Sequence, residues 1–207
     1  LGFQRVRQYV KLFGFGEKAG WNIPGEQLGT VPDKPPKFGG VGRMTSFGEE
    51  IAATPLQQAA FVSAIANRGT LYYLQYPRTR EEIENFVPKV KRRLDIGPLI
   101  PEVLPGMTAA VERGTARRAY DPADPIMGKT GTCSQDGARL GWFTSYNDLG
   151  NKLVVVVLLR GGRSVFGPRA AEVAGHVYKN LTEKHYFAAQ RPLTPAAFIA
   201  GESCCAR

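Results

Sequence analysis

The sequence predicts an α/β domain of the α+β kind, a mainly antiparallel sheet with helices on both faces, and three observations carry that expectation. Residues 153–159 read LVVVVLL, a strand apolar on both faces, which belongs inside a sheet covered by helices. Asp148-Leu149-Gly150-Asn151 joins this strand to the one before it, residues 140–146, as an antiparallel hairpin. The segments flanking these strands carry helical rather than alternating periodicity. At 207 residues with 43% hydrophobic content the chain is long enough to bury one core, so a single globular unit spanning residues 1–207 is expected.

The elements follow in order. In LGFQRVRQYVKLFGFG, Phe3, Val6, Val10 and Phe13 recur at helical spacing and Gly14 supplies a stop, so an amphipathic helix ends near Phe13. Residues 14–48, rich in Gly and Pro, hold no long periodic run and read as an extended excursion, functional or held by other parts. Thr54-Pro55-Leu56-Gln57 has the chemistry of a helix start: Thr54 caps, Pro55 suits the first turn and Gln57 reaches back. Ala59, Ala60, Phe61, Val62, Ala64, Ile65 and Ala66 surround most of the helix that follows, which marks it as buried, and Gly69 ends it.

Residues 70–100 are charged and mixed, with Tyr72 and Tyr73 suggesting a short strand and EEIENF a surface helix. A further helix is expected over residues 105–113, with Met107, Ala110 and Val111 inward and Gly114 as the stop. The turn-forming DPADP then leads into the first of the three strands, residues 126–132. After Gly167-Pro168, the residues Ala170, Val173, Ala174, Val177 and Leu181 form the inward stripe of a covering helix, and residues 182–207 read as irregular.

The net charge of +9 implies attraction to something anionic, whether nucleic acid, a lipid surface or an acidic polymer, without choosing among them. The run KVKRR reads as a solvated basic face. The cysteines, Cys133, Cys204 and Cys205, are odd in number and form neither a disulfide framework nor a zinc-ligand spacing. The longest apolar run is too short to span a bilayer and no signal-peptide pattern is present. Because the chain opens on Leu1 inside a helical pattern, it is expected to be a fragment or a processed piece.

The chemistry centres on residues 127–137, MGKTGTCSQDG. A phosphate-binding loop requires a glycine five positions before the glycine that precedes the lysine, and Ala123 stands there. Its strand-before and helix-after context is missing as well, which excludes a nucleotide site. The remaining arrangement places Lys129-Thr130-Gly131 on a strand, with the lysine and the threonine both projecting toward a cleft. There Gly131, lacking a side chain, lets a substrate backbone lie alongside. An ammonium, the hydroxyls of Thr130 and Thr132 and a backbone N–H suit a peptide with a carboxylate end.

Five blocks in one order then carry a resemblance: FGFGEKAGWNIPGEQLG; SFGEEIAATPLQQAAFVSAIANRG; PGMTAAVERGTARRA; GKTGT; and GWFTSY with VVVVLLRGG and PRAAEVAGHVY. Together they resemble the C-terminal part of the transpeptidase domain of penicillin-binding proteins, most like the monofunctional high-molecular-weight class. The resemblance implies the partial fold of that family and a peptidoglycan D,D-transpeptidase that binds penicillin. Its reaction is acylation of a serine by a D-alanyl-D-alanine stem peptide and transfer to an amine. It implies that Lys129 orients the substrate carboxylate and tunes neighbouring acid and base groups, that Thr130 and Thr132 bind that carboxylate, and that the backbone N–H of Thr132 forms half of the oxyanion hole.

The family's nucleophile is a serine with a lysine three residues on. Neither Ser46, Ser63, Ser134, Ser145, Ser164 nor Ser203 has one, so no nucleophile is assigned and the chain alone is expected to be inactive. The family's second motif, Ser-x-Asn, occurs only as Ser145-Tyr146-Asn147, which follows the lysine motif instead of preceding it and reads as a decoy. His176 and His185 read as surface residues, Cys133 as a small strand-end residue, Trp142 and Phe143 as core, and Glu49 and Glu50 as pointing apart. The expected partners are a stem peptide or β-lactam and the upstream half of the same domain, with no nucleic acid, no metal and no organic cofactor. The expected place is the extracytoplasmic face of a bacterial membrane, anchored by a segment outside the chain. The alternatives are a non-catalytic β-lactam sensor or peptide-binding module of the same fold, and a D,D-carboxypeptidase. The family's sheet sets an N-terminal strand beside residues 153–159, and without it the bare edge predicts self-association.

Overall fold

A computed structural model of the chain describes residues 2–188. Cys204, Cys205, Ser203 and most of the expected irregular tail lie outside the described residues. Thr182 belongs to the last helix rather than to that tail.

Helix α1 (Phe3–Leu12) buries Phe3 and Val6 against Met44 of α2 (Gly40–Phe47). Helix α2 was not expected, because Gly40 and Gly42 are weak helix formers. Left-handed glycines at both ends, Gly39 and Gly48, delimit it, and the buried Met44 anchors it. The rest of the excursion is held by the helix start that the sequence announces. Helix α3 (Pro55–Ala66) carries the full capping box, with Thr54 and Gln57 bonded reciprocally. The Gln57 amide nitrogen then donates to the carbonyls of Glu17 (2.9 Å) and Leu28 (2.7 Å), so one buried side chain closes a helix cap and ties down two turns of the loop.

Strand β1 (Thr70–Tyr72) pairs antiparallel with β2 (Val90–Arg93), and the exposed helix α4 (Arg80–Glu84) lies between them in sequence. The basic run KVKRR is a solvated face only in part: Lys89 and Arg93 are exposed, whereas Lys91 and Arg92 are engaged. The Lys91 side chain is only 6% exposed, and with Arg92 it grips the Glu17 carboxylate at 2.8 and 2.7 Å. Arg92 also donates to the carbonyls of Lys11 and Leu12, the last residues of α1, and so satisfies acceptors that a helix end leaves open. Charge-run reasoning missed this because the partner lies more than seventy positions away in sequence.

The main sheet has the order β3-β4-β5, all antiparallel: β3 (Ile126–Gln135), β4 (Ala138–Asn147) and β5 (Val154–Gly161). Strand β3 runs three residues past its expected end because Asp136 and Gly137, both at positive φ, make a two-residue hairpin turn. Phe143 and Tyr146 of β4 point to opposite faces. Phe143 packs with Ala170, Ala174 and Tyr178 of α6 (Gly167–Glu183), and Tyr146 packs with Val62 and Ile65 of α3 and Met107 of α5 (Ile100–Glu112). Helices therefore cover both faces.

Among the described residues β5 is an outer strand, as expected of a chain without the family's N-terminal strand, and its valines are apolar on both faces because α3 and α6 cover them. Two expectations need correction. Helix α5 starts five residues earlier than Pro105, which lies inside it, because Ile100 is drawn into the cluster of Val62 and Ile65. The inward residues of α6 are Ala170, Ala171, Ala174 and Tyr178, whereas Val173 and Val177 stand 37% and 40% exposed. Small residues face inward because the helix approaches closely: a Cβ on Gly175 would lie 2.8 Å from the Cα of Ala119.

Burial raises the Glu17 carboxyl, but the bonds from Lys91 and Arg92 more than reverse this and hold it below the ordinary glutamate range. A carboxyl depressed in the fold adds stability above its unfolded pKa, and that contribution is lost as pH falls through the folded value. Glu17→Gln should therefore cost about 1 kcal/mol at neutral pH, less in high salt because the pair is partly exposed. The gap to the unsubstituted chain should close below about pH 4, which thermal denaturation across pH will show.

Candidate active site

The lysine motif lies on β3, the other outer strand of the sheet, and its register with β4 decides where each side chain goes. Gly131 pairs with Trp142, Lys129 with Thr144 and Thr130 with Phe143, and cross-strand partners share a face. Lys129, Gly131 and Cys133 therefore share the face of Tyr146, toward α3 and α5, while Thr130 and Thr132 share the face of Phe143, toward α6. The lysine and the two hydroxyls straddle the strand instead of pointing together into one cleft.

Lys129 is exposed, and its Nζ donates to the carbonyl of Thr130 at 2.8 Å. Thr130 is only 9% exposed, and its hydroxyl lies 2.5 Å from that of Thr115 in the turn after α5. Thr132 accepts the backbone N–H of Gly167, the first residue of α6, at 2.9 Å. A threonine hydroxyl has one hydrogen to give and two lone pairs. Among the described residues Thr132 thus keeps its hydrogen, and the Thr115–Thr130 pair keeps one of its two.

The glycines of this region separate into two kinds. A Cβ on Gly128 would come within 2.7 Å of the Phe143 ring, one on Gly141 within 2.5 Å of the Phe166 carbonyl, and one on Gly167 within 2.8 Å of the Thr130 Cβ, so internal packing demands all three. At Gly131 a Cβ would meet nothing closer than Trp142 at 3.4 Å, an ordinary contact. The sheet does not need that glycine.

The other candidates are accounted for within the fold. Ser145 and Asn147 are fully buried: the serine hydroxyl donates to the Val155 carbonyl and bonds to Tyr178 Oη, while Asn147 holds the Leu149 carbonyl and the Leu153 N–H of the hairpin loop. Burial keeps the Tyr178 hydroxyl well above the ordinary tyrosine value. Cys133 is exposed at its thiol's end of the strand, and partial burial still pushes that thiol up, away from a reactive thiolate. His176 and His185 are exposed, Phe143 is core, Trp142 is half-buried, and Glu49 pairs with Arg43. Among the described residues no group of three or more His, Cys, Asp or Glu is placed to hold a metal, and no helix is long and apolar enough to cross a membrane.

Sequence reasoning missed two participants. Thr115 belongs to the quoted block PGMTAAVERGTARRA, yet no spacing rule links it to a strand fifteen residues on. Gly167 was read only as the opening of a helix. Beside them, Arg169 and Arg118 pair with Glu172 and hold its carboxyl below the ordinary range, which leaves a basic rim at the start of α6.

The model of the penicillin binding protein transpeptidase domain matches residues 1–183. Stage V sporulation protein D of Bacillus subtilis is 33% identical over 149 residues, covering 68% of this chain and 23% of that protein. The peptidoglycan D,D-transpeptidase MrdA of Acinetobacter baumannii is 27% identical over 149 residues, covering 64% and 22%. The chain thus spans under a quarter of the length of these curated relatives. Among solved structures, the penicillin-binding protein in a complex of PBP2 and MreC from Helicobacter pylori superposes with a TM-score of 0.68 at 19% identity, covering 90% of this chain and 37% of that one. A peptidoglycan glycosyltransferase from Burkholderia ambifaria gives 0.60 at 19% identity, covering 86% and 57%. At such identities these two show the fold alone. Motif order, fold and family match agree, and the chain belongs to the penicillin-binding protein transpeptidase domain family.

Proposed function

We propose that the outer edge of β3 is the carboxylate-recognising wall of a peptidoglycan D,D-transpeptidase, which takes the D-alanyl-D-alanine end of a stem peptide or the carboxylate of a β-lactam. The observation that carries this is the hydrogen inventory: two hydroxyl hydrogens remain unused on one side of the edge, and the Lys129 ammonium stands on the other. Gly131 supports it, since a Cβ there would make only an ordinary contact with Trp142, so packing does not account for the glycine. The Thr130 carbonyl is engaged by Lys129, which suits a backbone group at the free edge. Residues two apart on a strand present their backbone groups to the same edge, which would set the Thr132 N–H there as an oxyanion donor.

No serine in the 207 residues is followed three positions later by lysine, so this chain would supply the recognition wall and form no acyl adduct by itself. The activity would operate at the extracytoplasmic face of the membrane, where stem peptides lie. The edge of β5, unpaired among the described residues, and the exposed Leu158, Val173 and Val177 leave apolar area that a second copy of the chain could cover by edge pairing.

In the protein expressed from its full reading frame, Lys129→Ala should slow acylation by a fluorescent penicillin by the equivalent of about 2 to 4 kcal/mol, the scale of a lost charged contact. Gly131→Ala should leave the melting temperature unchanged or slightly higher, since alanine suits a strand better, and still depress acylation because the methyl group occupies the substrate's space. Normal acylation in both variants would remove this edge from the site. Light scattering on the 207-residue chain over a concentration series should show an average mass that rises with concentration. A constant monomer mass would mean that the β5 edge is covered.

A further inference from the structure

Thr115 bonds to the lysine motif from outside β3, and the fold holds it in place. It sits in the turn Gly114-Thr115-Ala116, and both flanks are pinned. A Cβ on Gly114 would lie 2.8 Å from the Cα of Ala110, and Ala116 is fully buried in the cluster that contains Phe143 and Ala170. The Ala116 N–H also donates to the Ala110 carbonyl at 2.9 Å, folding the turn back onto α5. Thr115 itself remains exposed, with its hydroxyl 2.5 Å from that of Thr130. An exposed threonine on an immobilised turn, directed at a buried threonine of the lysine motif, costs side-chain freedom that a surface position would otherwise keep.

We propose that Thr115 is a positioning residue for carboxylate recognition: by donating to the Thr130 hydroxyl it turns the Thr130 hydrogen outward, toward the anion. The proposal rests on the carboxylate site proposed above. Two hydroxyls in contact share one hydrogen, and either can be the donor. If Thr130 donated, its hydrogen would be used inside the protein and Thr130 would offer the ligand only an oxygen. If Thr115 donates, Thr130 keeps its hydrogen for the ligand and each bond polarises the other. A negative charge at the β3 edge selects the second arrangement. Thr132 is set in the same way by a different neighbour, since its oxygen already accepts the Gly167 N–H and its hydrogen is left to point away. The two hydroxyls of the motif are thus each oriented by a donor from outside the strand, one from the turn after α5 and one from the start of α6.

The test uses the protein from its full reading frame and compares a penicillin with its methyl ester, in which the carboxylate charge is removed. Thr115→Val keeps the shape and removes the hydroxyl. It should slow acylation by the free acid about tenfold, the scale of one hydrogen bond to a charged group, and slow the ester much less. Thr115→Ser should recover the rate with the acid. Combined with Thr130→Val, Thr115→Val should add little further loss, because its effect passes through Thr130. Equal losses with acid and ester, additive losses in the double variant, or an unchanged rate in Thr115→Val would each overturn the proposal. Lys129→Ala and the acid-to-ester ratio of the unsubstituted protein keep the two hypotheses apart. If neither affects acylation, the carboxylate site itself fails; if both do and Thr115→Val does not, only the role of Thr115 fails.

Discussion

The candidate site depends on the register of β3 against β4. Side chains on a strand alternate, so a slip by one residue would carry Lys129 to the α6 face and both threonines away from it. Three close fits forbid that slip. The Asp136-Gly137 turn sets the pairing, Gly128 admits the Phe143 ring, and Gly141 admits the Phe166 backbone where the chain turns into α6. Phe143 of β4, fully buried between the sheet and α6, keeps its place in such a slip, and the side chain brought to the position of Gly128 would strike its ring. Recognition chemistry at the edge is therefore fixed by packing at positions that never touch a ligand.

Helix α6 contributes twice to that arrangement. Its inward face is built largely from alanines, so it lies close on the sheet, and the large buried Tyr178 finds a partner for its hydroxyl in Ser145. The close approach brings Gly167 against Thr130 and Gly131, near enough for its N–H to reach the Thr132 oxygen. A bulkier helix would stand further off and leave that oxygen without its donor. The same tight packing turns Val173 and Val177 outward, so the apolar stripe seen in the sequence becomes an uncovered surface.

The fold class, the three long strands, the capping box and the identity of the motif strand were legible because each rests on local signals: periodicity, caps and turns. What escaped the sequence depends on contacts between distant residues. The salt bridges of Glu17 to Lys91 and Arg92 join segments that composition treats separately, and they convert part of a presumed solvated run into a clamp on the end of α1. Helix α2 escaped because its glycines argue against it and only the burial of Met44 argues for it. At the site, residue types were readable but the expectation that lysine and threonine project together into one cleft fails: strand alternation places Lys129 opposite Thr130 and Thr132. The shared hydrogen with Thr115 required the turn after α5 to be folded against β3 before it could be seen.

The most direct measurement is a crystal structure of the protein from its full reading frame after reaction with benzylpenicillin. The account predicts the drug's carboxylate beside β3, with an oxygen within about 3 Å of the hydroxyls of Thr130 and Thr132 and the Lys129 ammonium on the opposite side of the strand. A carboxylate bound elsewhere, with both threonine hydroxyls still engaged only within the protein, would contradict it.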